Sequence, residues 1–204
     1  LLTAVGNWTK RETLVGLPLA ALAALWGAGR VACSLPAIDG RVAAVIDGTF
    51  LPALALVLAV PLVRTKNVRN LVMIAILLVL AALNGMMHLS LLGFFRGSER
   101  RASIAAVYVV MILCSLISGR VIPMFTRNAT GVETIRTVAP LEKLALGSLL
   151  LTAICEFFPE LSFTPWIAAL AGVFAIARSV TWGARHSLRV PLLWILHVGY
   201  LWIP

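Results

Sequence analysis

The sequence is poor in charge. Only 12% of its 204 residues are Asp, Glu, Lys or Arg, while 61% are hydrophobic. A water-soluble domain of this length cannot hide so much apolar surface, so the solvent for most of the chain is lipid. Cysteine is scarce too. The three cysteines, Cys33, Cys114 and Cys155, are odd in number, far apart and free of any CxxC spacing. That excludes a disulfide framework or a zinc knuckle and reads them as small buried hydrophobes. No strand-like alternation, Ser/His/Asp set, phosphate loop or H-E-x-x-H pattern occurs, and no signal peptide is visible. The net charge of +9 then bears on orientation in a bilayer rather than on nucleic acid.

What remains is a series of apolar runs. They cover 17–35, 43–63, 70–93, 104–125, 141–158 and 166–182, with partial runs at 1–5 and 191–204. Each full run has a length suited, with its flanks, to a helix crossing about 30 Å of hydrocarbon. The expected fold is all-α: one polytopic transmembrane helical domain over residues 1–204, with about six full spans and a partial span at each end. Opening and closing inside apolar runs suggests an interior segment of a longer protein. Loops 6–16, 64–69, 126–143 and 183–190 hold ten of the 17 Lys and Arg, against four in the alternate loops. The richer set is therefore assigned to the cytoplasm. Ala20, Ala24 and Ala28 recur every four residues and permit close helix packing. Pro123 is expected to break or kink the fourth span.

Polar groups inside the runs are few, and such groups mark function or a structural pair. Arg30 and Asp47 fall near the turn joining the first two spans and can meet as an ion pair across the hairpin. That pair either fixes helix register or leaves Arg30 to neutralise an anionic group of a cofactor. Asn84 and His88 are four apart, hence on one helical face, and His88 is either a metal ligand or bonded to a backbone carbonyl. His197 sits in the last apolar run, flanked by Trp194 and Tyr200, and must face another helix, a cavity or a metal. The two aromatics could wall a flat cofactor or simply pack. Arg120 lies three residues before Pro123 in the run Gly119-Arg120-Val121-Ile122-Pro123-Met124-Phe125-Thr126, with apolar residues beyond it. Its guanidinium needs a carboxylate, a carbonyl, water or an anionic ligand. Arg178 is expected to snorkel to the interface.

Several stretches together resemble the NnrS family of bacterial inner-membrane proteins. They are Leu2-Thr3-Ala4-Val5-Gly6-Asn7-Trp8-Thr9, Gly29-Arg30, Asp47 with Phe50-Leu51, and Asn84 with His88. The Gly119–Thr126 run and Pro191-Leu192-Leu193-Trp194 with Leu196-His197 and Gly199-Tyr200 complete the set. The resemblance runs end to end. It implies a polytopic protein that binds haem and copper and serves the response to nitric oxide and nitrosative stress, in association with denitrification. It also implies that histidine-containing motifs flank this segment and that some ligands lie in them. His88 and His197 are then the candidate haem or copper ligands. Arg30 and Arg120 are the candidate partners of the cofactor's carboxylates. Nitric oxide, small and lipid-soluble, can reach such a site within the bilayer. A nitrogen-oxide reductase or oxidase would need carboxylates for protons, and the only acidic residues well within the spans are Asp47 and, nearer an end, Glu156. A transporter would predict matching halves, and no internal repeat is present.

Overall fold

The computed structural model describes residues 2–158, 160–188 and 190–203. The expected features at Leu1, Pro159, Arg189 and Pro204 lie outside the described residues. All regular structure among the described residues is helical: α1 (Leu2–Thr9), α2 (Leu17–Ser34), α3 (Gly40–Arg64), α4 (Val72–Leu91), α5 (Glu99–Thr130), α6 (Ala139–Cys155), α7 (Thr164–Val180), α8 (Ala184–Ser187) and α9 (Pro191–Tyr200). A 3₁₀ turn, Val68–Asn70, leads into α4. Proline occupies the first helical turn of α2, α6, α7 and α9, where its missing N–H has no intrahelical partner to lose. Asp39 caps α3 by accepting a bond from the Arg41 N–H at 2.8 Å.

Four helical stretches are long and apolar enough to cross a membrane: Leu17–Ser34, Gly40–Arg64, Val68–Leu91 and Glu99–Thr130. About six full spans were expected. The difference lies in the second half, where α6 and α7 have 17 residues each and α9 has ten. At 1.5 Å per residue a 17-residue helix reaches only about 25 Å. The fourth run, by contrast, extends well beyond its expected limits, because α5 is 32 residues long and continues through Pro123. Likewise α3 runs through Pro52 and Pro61. In an apolar setting an interrupted helix would expose further backbone, so the helix persists around the proline.

The chain divides into two compact units, residues 1–106 and 107–204. In the first, α3 is the central element, with α1, α2 and α4 against it. Its core is Val5, Ala55, Leu58, Leu62 and Leu77, against which Trp8, Leu51 and Leu54 also pack. Outward-facing Leu56 and Leu91 remain exposed, as expected of side chains that meet lipid. Both α1 and α3 end at a lysine in the left-handed region, Lys10 (φ 55°) and Lys66 (φ 51°). Glycine or asparagine is usual there, and a lysine costs about 1 kcal/mol more.

In the second unit α6 and α7 form an antiparallel pair, and α7 carries a fully buried Arg178. Its guanidinium donates to Glu142 Oε2 (2.8 Å), to the Ser115 carbonyl and hydroxyl (2.5 and 2.9 Å) and to the Tyr200 hydroxyl (2.8 Å). The Trp182 and Tyr200 rings lie 4.9 and 5.2 Å from its central carbon. Arg178 therefore does not snorkel. It finds inside the unit a carboxylate, two hydroxyls, a carbonyl and two aromatic faces, which together replace water. Tyr200 is thereby committed to this network, its ring 4.7 Å from that of Trp182, while Trp194 is 39% exposed, so the two do not form a shared wall.

Removing one partner of a buried ion pair strands the other. Arg178→Met is expected to destabilise the full-length protein in detergent by about 3–5 kcal/mol, and the double change Arg178→Met/Glu142→Leu to recover part of that loss. Denaturant titration of both variants checks this; an unaltered Arg178→Met midpoint contradicts the buried network.

A carboxylate-centred candidate metal site

Asp47 lies about two turns into α3, with its side chain 5% exposed. A carboxylate so placed has lost its water and must be compensated by the protein. Three groups from two neighbouring helices do so. The Arg30 guanidinium on α2 pairs with Oδ1. On α4, Asn84 Nδ2 and His88 Nε2 both meet Oδ2, each at 2.9 Å. Asn84 and His88 reach one oxygen together because four residues bring them to the same face of α4. The ion pair expected across the α2–α3 hairpin is thus formed, and His88 bonds to a carboxylate rather than to a backbone carbonyl.

Close approach of α2 to α3 depends on Gly29. A Cβ at that position would lie 3.0 Å from both Asp47 Cα and Asp47 Oδ1. The Gly29-Arg30 step therefore brings the backbone in at one residue and delivers the guanidinium at the next. Cys33 follows Arg30 by three residues, so helical spacing places it near the same face. Its sulfur, one carboxylate oxygen of Asp47 and one ring nitrogen of His88 lie within 4.8 Å of one another. A cavity of about 340 Å³ opens beside them, bordered by Arg30, Cys33, Asp47, Asn84, Met87 and His88. A second, of about 270 Å³, shares Arg30, Asp47, Asn84 and Met87.

A carboxylate only accepts hydrogen bonds, so His88 Nε2 carries the proton in the neutral ring and Nδ1 keeps a lone pair. Carboxylate support of one ring nitrogen is how proteins hold a histidine that ligates a metal through the other. His197, on α9 in the second unit, shows the same division. Thr126 donates its hydroxyl proton to the Ile122 carbonyl (2.8 Å), so its oxygen can only accept from His197 Nε2, 3.1 Å away. His197 Nδ1 is left buried and without a hydrogen-bond partner among the described residues.

Of the residues singled out in the sequence, Arg30 and His88 come together around Asp47 in the first unit. His197 belongs to the second. Arg120 lies part-buried on α5 in the second unit and is already engaged in an interaction. Cys33 was read as a buried small hydrophobe, and so was Cys114. Both are exposed, and only Cys155 is buried. These helices bury narrow faces, so an apolar setting in sequence does not mean a covered position. The three-residue spacing from Arg30 was the available signal for Cys33.

A family model described as NnrS protein matches residues 1–204. The chain belongs to the NnrS family. No curated protein and no solved structure matches it. Membership makes it a nitric-oxide-response protein in general terms, and its four long apolar helices are those of a membrane protein. Two of the stretches that carry the NnrS resemblance acquire physical reasons here. Gly29-Arg30 is the contact between α2 and Asp47. In the Gly119–Thr126 run, a Cβ on Gly119 would come 2.7 Å from Glu142 Oε2, and Thr126 holds His197.

Because Gly29 sits against backbone and a buried carboxylate, Gly29→Ala is expected to destabilise the first unit by about 1–3 kcal/mol. Gly27→Ala on the same helix, where a Cβ meets nothing within 4 Å, is expected to be neutral or slightly stabilising. Thermal melting of both variants in detergent distinguishes them; equal effects contradict the close approach at Gly29.

Proposed function

We propose that this NnrS protein binds haem and copper in the inner membrane of a bacterium, which it crosses several times, and protects the cell from nitric oxide, in association with denitrification. The observation that supports the reading is the clustering of Cys33, Asp47 and His88 ligand atoms within 4.8 Å. Ligands around a tetrahedral first-row metal lie about 3.3–3.8 Å from one another. The three groups thus need only a small inward movement to share an ion. Their chemistry fits as well: thiolate and imidazole favour copper, and Met87 on the cavity wall offers a further soft donor.

The protein's own groups have distinct roles in this reading. Cys33 and His88 hold the metal, and Asp47 either joins them or orients the His88 ring. Arg30, its side chain 54% exposed beside both cavities, supplies a fixed cation for a haem carboxylate or stays paired with Asp47. His197 Nδ1 in the second unit offers another lone pair for a haem or copper ion, with Thr126 setting its tautomer. Arg120 remains a candidate partner for a cofactor carboxylate. When bound, haem iron or reduced copper provides an open position at which nitric oxide coordinates. Nitric oxide is uncharged and soluble in lipid, so apolar helix walls admit it and exclude ions.

Copper and iron analysis with absorption spectra of the full-length protein tests this. Cys33→Ala or His88→Ala is expected to remove copper, and Asp47→Asn to weaken copper binding about 10–100-fold. His197→Ala is expected to change the Soret band or the second metal's content. Unchanged metal content and an unchanged Soret band in all four variants would overturn the assignment.

A further inference from the structure

One end of the first unit gathers positive charge from two loops far apart in sequence. The loop after α1 carries Lys10 and Arg11, with Glu12 beside them. The segment closing α3 and leading to α4 carries Arg64, Lys66 and Arg69. All five cations are exposed, and among the described residues none is ion-paired. The loops are tied together by side chains. Buried Asn70 donates to Asn67 Oδ1 at 3.0 Å, and Asn67 Nδ2 donates to the Trp8 carbonyl at 3.5 Å. Lys66 immediately precedes Asn67, and Lys10 follows Trp8 by two residues. The two residues held in the left-handed region at the ends of α1 and α3 are these same lysines, Lys10 and Lys66. Glycine would fit both positions more easily; lysine instead sets a cation at each turn, beside the cations of the same two loops.

The surroundings select the kind of anion. Val60, Val63 and Val68 are exposed beside Arg64 and Lys66, at 44%, 61% and 73%. A ligand resting there meets cations at one level and an apolar helix wall at the next. Trp8, packed against the core of α3 by one side, is of the residue type that settles at the headgroup level. A soluble phosphate uses only the cations, whereas an acidic phospholipid uses both surfaces.

We propose that this end of the first unit is a binding site for the headgroup of an anionic phospholipid. Its phosphodiester is taken up by the loops bearing Lys10 and Lys66, and its acyl chains lie along the Val60 and Val63 side of α3. The site is separate from the Asp47 cluster and does not depend on any metal.

Native mass spectrometry of the full-length protein, released from detergent containing phosphatidylglycerol and phosphatidylcholine in equal amounts, tests the assignment. Selective retention of phosphatidylglycerol is expected, undiminished by added inorganic phosphate. In Lys10→Gly/Lys66→Gly the preference should fall by roughly tenfold or more, while the melting temperature in plain detergent stays level or rises. Lys10→Asn/Lys66→Asn, neutral and equally tolerant of the backbone, should lose the same preference. It serves as the test should the glycine variant not fold. Arg100→Gln/Arg101→Gln, at the start of α5, should leave the preference intact. Equal retention of both lipids by the unaltered protein, an unaffected preference in the lysine variants, or displacement of the lipid by phosphate alone would each overturn the proposal.

Discussion

A single buried carboxylate, Asp47, organises the first unit. Transfer of an ionised carboxylate from water into an apolar helix bundle costs several kcal/mol unless partners replace the lost hydration. Here the partners come from α2 and α4, and each has a fixed place along its helix. The pairing therefore sets the rotation and height of both helices against α3. Apolar packing alone does this poorly in lipid, where the tails are as hydrophobic as the helix faces. Gly29 is the steric counterpart of the same constraint, since α2 must come close for Arg30 to reach.

Arg178 has the corresponding role in the second unit, with the charges reversed. There the buried cation is the centre, and Glu142, Ser115 and Tyr200 from three other helices converge on it. Tyr200 stands three residues after His197 on α9, so anchoring its hydroxyl also restrains the turn that presents His197 to Thr126. In both units a histidine ends with Nε2–H engaged and Nδ1 carrying a lone pair. That common outcome arises from different partners, a carboxylate in one case and a hydroxyl with its proton already committed in the other.

Much of the first unit could be read from the sequence, because polar residues in apolar runs are rare and helical spacing orders them. Arg30 and Asp47 face one another across a short hairpin, and Asn84 and His88 share a face, so each pair follows from spacing; that both pairs meet at Asp47 depends on the packing of α4 against α3. Cys33 escaped because thiols are ordinary in apolar helices. The burial of Arg178 was hidden for a different reason. Its partner Glu142 lies in a charged stretch that reads as a loop, and only tertiary packing brings the two together. Four of the expected spans have helices of full crossing length; α6, α7 and α9 are apolar but shorter, with lengths set by turns that local hydrophobicity does not reveal. Pro123 does not end its helix: α5 continues through it, as α3 does through Pro52 and Pro61.

The central claim is that the groups converging beside Asp47 form a copper site containing Cys33 and His88. Copper K-edge X-ray absorption of the intact protein reads the donor atoms directly. A mixed shell of one sulfur with nitrogen or oxygen neighbours is predicted, with the sulfur lost in Cys33→Ser. A shell of nitrogen and oxygen alone that is the same in both proteins, or the absence of bound copper, would contradict it.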